Sequence, residues 1–206
     1  MQTEIFQVKN LPVAVIDDFY DQEAVKKIWH EILFLSSGDK MNDPSATGSA
    51  IDYDDENQPV FLKKNKGLFL DEIYMDRYVS DILRENRKIF QTQIHDHLIN
   101  YNPIFRYLTG ANKDYTLLSY YEDSDYYSPH VDDATMTVIS WFYSQPKKFT
   151  GGNLIFEDNI TVDCTYNRTV VFPSILKHAV EPVNLENQYK NQNYGRYTLT
   201  QLCTYK

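Results

Sequence analysis

The chain has 206 residues, with 20 Lys and Arg against 29 Asp and Glu, a formal charge of -9 at pH 7. That length suits one well-buried domain, and the acidic excess argues against a protein that grips phosphate backbones or an anionic membrane. The two cysteines, Cys164 and Cys203, show no CxxC spacing, and no apolar run reaches the roughly 18 residues of a membrane span. The opening MQTEIFQVKN lacks the basic-then-apolar order of a signal peptide, so a reduced, cytoplasmic setting is expected.

Residues 11–20, LPVAVIDDFY, alternate Val13 and Val15 with smaller residues and end at Asp17-Asp18, predicting a strand that runs into a turn. A helix is expected next, because Val25, Ile28, Trp29, Ile32 and Leu33 recur at helical spacing and Asp21 and Glu23 place negative charge at its start. His30 lies beside that stripe as a boundary residue with no ligand role. Residues 36–59 are small, polar and acidic, and predict a disordered segment or a mobile flap over a site. Asp52, Asp54, Asp55 and Glu56 read as a solvated face within it. From Asp71 to about Tyr101, apolar residues at near-helical spacing predict one long helix or two short ones. His95 and His97 fall there, where i and i+2 do not face one another, so they are poor joint ligands.

Asn102-Pro103 and Gly110 mark the junction to a second half of different texture. From Tyr115 onward eight short β-like runs are separated by turn residues, which suggests a sandwich or jelly roll. Cys164 and Cys203 alternate within two of these runs and are expected to be inert buried thiols.

His130-Val131-Asp132 lies in one such run, where residues i and i+2 face the same way. His178 opens a strand 48 residues later, counted as 178 − 130. Two imidazoles and one carboxylate on one face of an ion are the donor set of non-haem Fe(II) oxygenases. Arg196, Thr198 and Thr200 share a face of the last strand; that face either points inward to bind an anionic ligand or outward, with Tyr197, Leu199 and Cys203 as core. Tyr121 and Tyr127, just before His130, are phenols able to hydrogen-bond a carboxylate.

The run Tyr121-Glu-Asp-Ser124-Asp-Tyr-Tyr127-Ser-Pro129-His130-Val-Asp132 resembles the Y-x-x-G-x-x-Y-x-P-H-x-D signature of the prolyl 4-hydroxylase-like Fe(II)/2-oxoglutarate-dependent dioxygenases, with Ser124 in place of Gly. Phe149–Phe156 is similar to that family's F-x-G-G-x-x-x-F segment, and Phe172-Pro173-Ser174 to its approach to the second histidine. The resemblance covers residues 115–203. It implies an α+β fold, a double-stranded β-helix (jelly roll) core over 111–206 supported by strand and helices of 1–110, in a single domain spanning 1–206.

By the same resemblance His130, Asp132 and His178 ligate Fe(II), and Arg196 pairs with the distal carboxylate of 2-oxoglutarate with help from Tyr121 and Thr198. In collagen-type relatives the carboxylate partner is a Lys about ten residues after the second His. Here that position falls in the polar stretch NLENQYKNQNY, so an Arg-using variant is expected, with Lys190 as the fallback. The implied reaction consumes O2 and 2-oxoglutarate, releases succinate and CO2, and hydroxylates an unactivated C–H bond, with ascorbate as supporting reductant. The expected substrate is a peptidyl proline in a peptide or protein partner. The alternatives are a small-molecule or free amino-acid hydroxylase of the same family and a non-catalytic metal-binding barrel. Nucleic acid and membrane partners are not expected.

Overall fold

In the computed structural model, which describes residues 1–47 and 51–205, the chain opens with a hairpin that the sequence pattern conceals. β1 (Gln2–Val8) pairs antiparallel with β2 (Leu11–Asp17), Val8 opposite Leu11. Lys9 and Asn10 form the two-residue turn with φ of 49° and 65°, the left-handed pair whose twist matches that of the flanking strands. Val8 alone in β1 is buried, as befits an edge strand. The strand expected over 11–20 stops at Asp17, and Asp18, at φ 51°, turns the chain away.

α1 (Gln22–Ser36) is capped by Asp21, whose carboxylate accepts from the backbone N–H groups of Glu23 and Ala24. Its buried stripe is Ala24, Ile28, Glu31, Ile32 and Leu35, so the expected face is rotated: Leu33 is exposed, and Val25 and Trp29 sit at its margins. Glu31 belongs to the buried face because its Oε2 accepts from the Ile82 N–H at 2.7 Å. His30 is exposed.

The segment expected to be an irregular flap carries regular structure. After a 3-10 turn at Pro44–Ala46, β3 (Ile51–Tyr53) and β4 (Pro59–Phe61) form a hairpin, while residues 48–50 of that expectation lie outside the described residues. The Asp54 carboxylate accepts from the N–H groups of Glu56 and Gln58 at 3.0 and 2.7 Å, so part of the acidic run builds the turn. Two short strands follow, β5 (Lys63–Lys64) and β6 (Lys66–Phe69).

The helix expected over 71–101 is broken into pieces. α2 (Leu70–Ile73), α3 (Asp81–Glu85) and α4 (Thr92–Tyr101) are linked by 3-10 turns at Arg77–Val79 and Asn86–Phe90. Asp76 and Ser80 turn their side chains back onto the N–H groups of Tyr78 and Leu83, and both residues have extended backbones, which restarts the chain each time. Asn102 caps the turn that leads into α5 (Arg106–Gly110).

The remaining strands are β7 (Lys113–Tyr121), β8 (Tyr126–His130), β9 (Met136–Phe142), β10 (Phe149–Gly151), β11 (Leu154–Phe156), β12 (Thr161–Val162), β13 (Thr169–Pro173), β14 (His178–Val180), β15 (Val183–Leu185) and β16 (Arg196–Thr204). β14 and β15 are separated by Glu181-Pro182. Glu181 there donates its N–H to Asn153 instead of to a ladder partner, and Pro182 has no N–H to give.

The larger sheet runs β1-β2-β13-β9-β16-β7-β6 and the smaller β12-β11-β14-β8-β5, with β10-β15 as a separate pair. Side chains on one face of the larger sheet, Val138, Phe142, Tyr197, Leu199 and Cys203 among them, pack on α1, α3, α4 and α5. Those on its other face, including Ile139, Trp141, Val170 and Phe172, share a second core with Leu154, Phe156 and Val180 of the smaller sheet. The result is a helix layer, a large sheet and a small sheet, with a jelly-roll core between the two sheets. Strands β2 and β6 from the first half of the chain lie in the larger sheet beside β13 and β7.

Candidate active site

Between the sheets lies a cavity of about 510 Å³, walled by β7, β8, β14 and β16 and by Lys63 and Asn65. β14 pairs with β8 so that His178 stands directly opposite His130. Cross-strand partners of this kind have Cβ atoms about 5 Å apart, and the two imidazole centroids are 4.3 Å apart. That register joins two histidines far apart in sequence. Asp132 lies beyond the end of β8, so the strand alternation expected for His130 and Asp132 does not itself align them. The loop is held instead by the Asp132 N–H donating to the carbonyl of Ser174.

The donor atoms converge. His130 Nε2 is 3.6 Å from Asp132 Oδ1, His178 Nε2 is 3.5 Å from Asp132 Oδ2, and one ligand atom from each residue lies within 4.8 Å of the others. Each imidazole Nδ1 faces a backbone carbonyl, Ser128 O at 2.8 Å and Leu176 O at 2.9 Å. Carbonyls only accept, so Nδ1 carries a proton and Nε2 is the nitrogen turned toward Asp132. Thr137 Oγ1 donates to Asp132 Oδ2 at 2.7 Å, which leaves the Ser174 hydroxyl to donate to Thr137 at 2.8 Å.

Protonation follows the surroundings. Burial pushes the His178 imidazole below its usual value despite the pull of Asp132. Burial would raise the Asp132 carboxyl, but the two imidazoles and Thr137 outweigh it and hold the group below the usual carboxylate range. Two imidazoles and a carboxylate at this spacing suit a divalent ion with bonds of about 2.0–2.2 Å.

Arg196 begins β16 opposite Tyr121 and is fully buried. Its guanidinium lies 4.7 Å from the ring centre of Tyr121 and 5.6 Å from that of Trp141. Its three nitrogens are closed to solvent, and none has a hydrogen-bond partner among the described residues; the same holds for Thr198 Oγ1. Arg196, Thr198 and Thr200 line the cavity, while Tyr197, Leu199 and Cys203 pack against the helices, so both faces of this strand are buried. The unpartnered fork and hydroxyl suit a carboxylate.

Gly152, at φ +69°, explains the double glycine, since a Cβ there would stand 2.9 Å from Arg196 Cδ. Burial pushes the Tyr121 phenol up, with Arg196 and Asn65 pulling the other way, so Tyr121 stays a protonated donor.

Lys190 does not line this cavity. Its Nζ is 2.8 Å from Asp123 Oδ2, in a different depression, which removes it as the fallback carboxylate partner. His95 and His97 lie on α4, outside the cavity lining. Cys164 and Cys203 are free and buried, and burial pushes the Cys203 thiol up to about 12.

Three contributors escaped the sequence reading. Thr137 is one polar residue among several in its strand. Trp141 has an unpartnered Nε1. Lys63 is hidden in the tract KKNK, where nothing marks one lysine as different. Tyr127, opposite Lys63 in the β5–β8 pair, stacks on His130 with ring centres 3.5 Å apart.

Residues 115–202 match the sequence pattern of the 2OG-Fe(II) oxygenase superfamily. The match spans 88 of the chain's 206 residues. The oxygenase family implies Fe(II), 2-oxoglutarate and O2, and the His130, Asp132 and His178 cluster fits such an ion. A prolyl-4-hydroxylase from Pseudomonas putida is similar over 94% of this chain and 92% of its own, with 15% identity and a TM-score of 0.57. A Trichoplax adhaerens prolyl hydroxylase, solved with a hypoxia inducible factor peptide fragment, is similar over 93% and 83%, with 14% identity and a TM-score of 0.61. A viral collagen prolyl hydroxylase from Paramecium bursaria Chlorella virus-1 is similar over 93% and 94%, at 11% identity and a TM-score of 0.51. At these identities the likeness is one of fold. No curated protein matches the chain. Among the described residues, no helix is long and apolar enough to cross a membrane.

Proposed function

We propose that the protein is an Fe(II)- and 2-oxoglutarate-dependent dioxygenase that hydroxylates an unactivated C–H bond, with a peptidyl proline as the substrate and succinate and CO2 as the co-products. The observation that carries this reading is the buried, unpartnered guanidinium of Arg196 in the same cavity as the His130, Asp132 and His178 donors. A protein that only stored a metal would have no need of a second, cationic anchor there. Support for proline comes from the fold neighbours, three of which are prolyl hydroxylases. Residues 1–206 form one domain in this reading, because β2 and β6 pair with strands of the second half.

When bound, Fe(II) supplies the activation of O2 and the oxidising power for the C–H bond. His130, Asp132 and His178 would hold the ion. Ser128 O and Leu176 O fix the imidazole tautomers, and Thr137, backed by Ser174, fixes the carboxylate. Arg196 grips the distal carboxylate of 2-oxoglutarate through its fork, and Tyr121 and Thr198 donate hydroxyl hydrogen bonds to it. Ile139 and Val180 supply apolar surface to the same cavity.

With Fe(II), ascorbate and O2, the purified protein is expected to turn 2-oxoglutarate into succinate, slowly without substrate and faster with proline peptides. His130→Ala abolishes metal binding, whereas Arg196→Ala keeps the metal and loses 2-oxoglutarate. Loss of metal in both variants, or no succinate from fully metallated protein, overturns the reading.

A further inference from the structure

Lys63 is 4% exposed and lines the cavity that holds the metal donors. Its ammonium group donates to Thr47 O at 2.7 Å and Thr47 Oγ1 at 3.0 Å, which uses two of its three protons. Among the described residues it forms no ion pair; the other carboxylates of the lining, Glu72 and Asp133, are exposed, and Asp132 is committed to the donor cluster. A buried ammonium without a counter-charge is costly unless an anion arrives. On the proposed function, the charges of a divalent ion, Asp132, dianionic 2-oxoglutarate and Arg196 sum to zero, and Lys63 is left as the uncompensated buried charge of the lining.

We propose that Lys63 is a substrate-specificity residue whose ammonium receives a carboxylate of the substrate, so that the site selects an acidic substrate over a neutral one. This rests on the oxygenase reading. The geometry favours it, because Lys63 stands opposite Tyr127 across the β5–β8 pair and the Tyr127 ring is stacked on His130. A carboxylate at Lys63 thus lies one aromatic ring from the metal donors. The carboxylate is either the α-carboxylate of a free amino acid or the side chain of an acidic residue beside the target in a peptide.

The test is saturation-transfer NMR on protein saturated with 2-oxoglutarate, with acetate and acetamide as probes. In the wild type, transfer to the acetate methyl is expected to exceed that to acetamide several-fold, and in Lys63→Met to fall to the acetamide level. L-Proline against L-prolinamide, and N-acetyl-aspartyl-prolinamide against its asparaginyl counterpart, then separate the two carboxylate sources. Equal transfer to acetate and acetamide in the wild type, or an acetate preference that survives in Lys63→Met, overturns the proposal. Failure of 2-oxoglutarate to stabilise the protein through Arg196 would instead count against the oxygenase reading, and the two failures are read separately.

Discussion

Replacing Arg196 with methionine should make the unliganded protein more stable and leave it blind to 2-oxoglutarate. Methionine fills a similar volume and brings no charge. The Arg196 side chain now buries three nitrogens without acceptors, each costing about 1–3 kcal/mol, offset by ring contacts with Tyr121 and Trp141 worth about 0.5–2 kcal/mol each. A net gain of about 2 kcal/mol is expected. For a chain of 206 residues, an unfolding entropy of about 2.1 cal/mol/K per residue makes this a rise in Tm of about 5 °C. The wild type, at a 2-oxoglutarate concentration 100-fold above Kd, gains about 2.7 kcal/mol, or about 6 °C. Loss of two charge-assisted hydrogen bonds weakens binding by at least about 100-fold, so at the same concentration the variant gains less than about 1 °C. Thermal unfolding of metal-loaded protein without oxygen, with and without 2-oxoglutarate, reads both effects. A variant that melts lower than the wild type and keeps its ligand-induced shift would falsify the argument.

Gly152→Ala forces a Cβ to within 2.9 Å of Arg196 Cδ at a φ of +69°. It should cost about 1–3 kcal/mol in urea unfolding and weaken 2-oxoglutarate binding at least tenfold, while metal affinity holds. Thr137→Val removes the hydroxyl that donates to Asp132, and metal titration should show a 10–100-fold loss of affinity; unchanged affinity would dismiss the positioning role. Burial lowers the Lys63 ammonium to about 8 from 10.5, so between these values the unfolded chain binds the proton more tightly and stability rises with pH. Below pH 8 both states are protonated and the full penalty applies. Lys63→Met should therefore exceed the wild type in stability at pH 7, by up to about 3 kcal/mol, with the gap closing by pH 10.5. A constant gap across that range refutes it.

How much was legible varied with the distance over which the deciding contact acts. The strands around Val138 and Val170 were visible because their side chains meet core on both faces of the larger sheet. β1 was not, since an edge strand with one buried residue has no reason to alternate. The helix stripe of α1 was found but rotated, because Glu31 is buried by a hydrogen bond to Ile82, fifty-one positions away. The segment from Leu70 to Tyr101 kept helical spacing, yet the capping side chains of Asp76 and Ser80 broke it. Residue type suggested the cluster of His130, Asp132 and His178, though the loop contact that brings Asp132 to it was not visible, and Lys63 became distinguishable from Lys64 and Lys66 only once the fold had closed a cavity around it.

β16 serves two masters on its two sides: Tyr197 wedges edge-on against Trp29 of α1, with ring centres 5.6 Å apart, while its neighbours Arg196 and Thr198 face the cavity. A slip of one position would exchange the two sets, driving a guanidinium in among aliphatic helix side chains and a tyrosine into the cavity. The hydrophobic sorting that holds the helices in place also proofreads the chemistry.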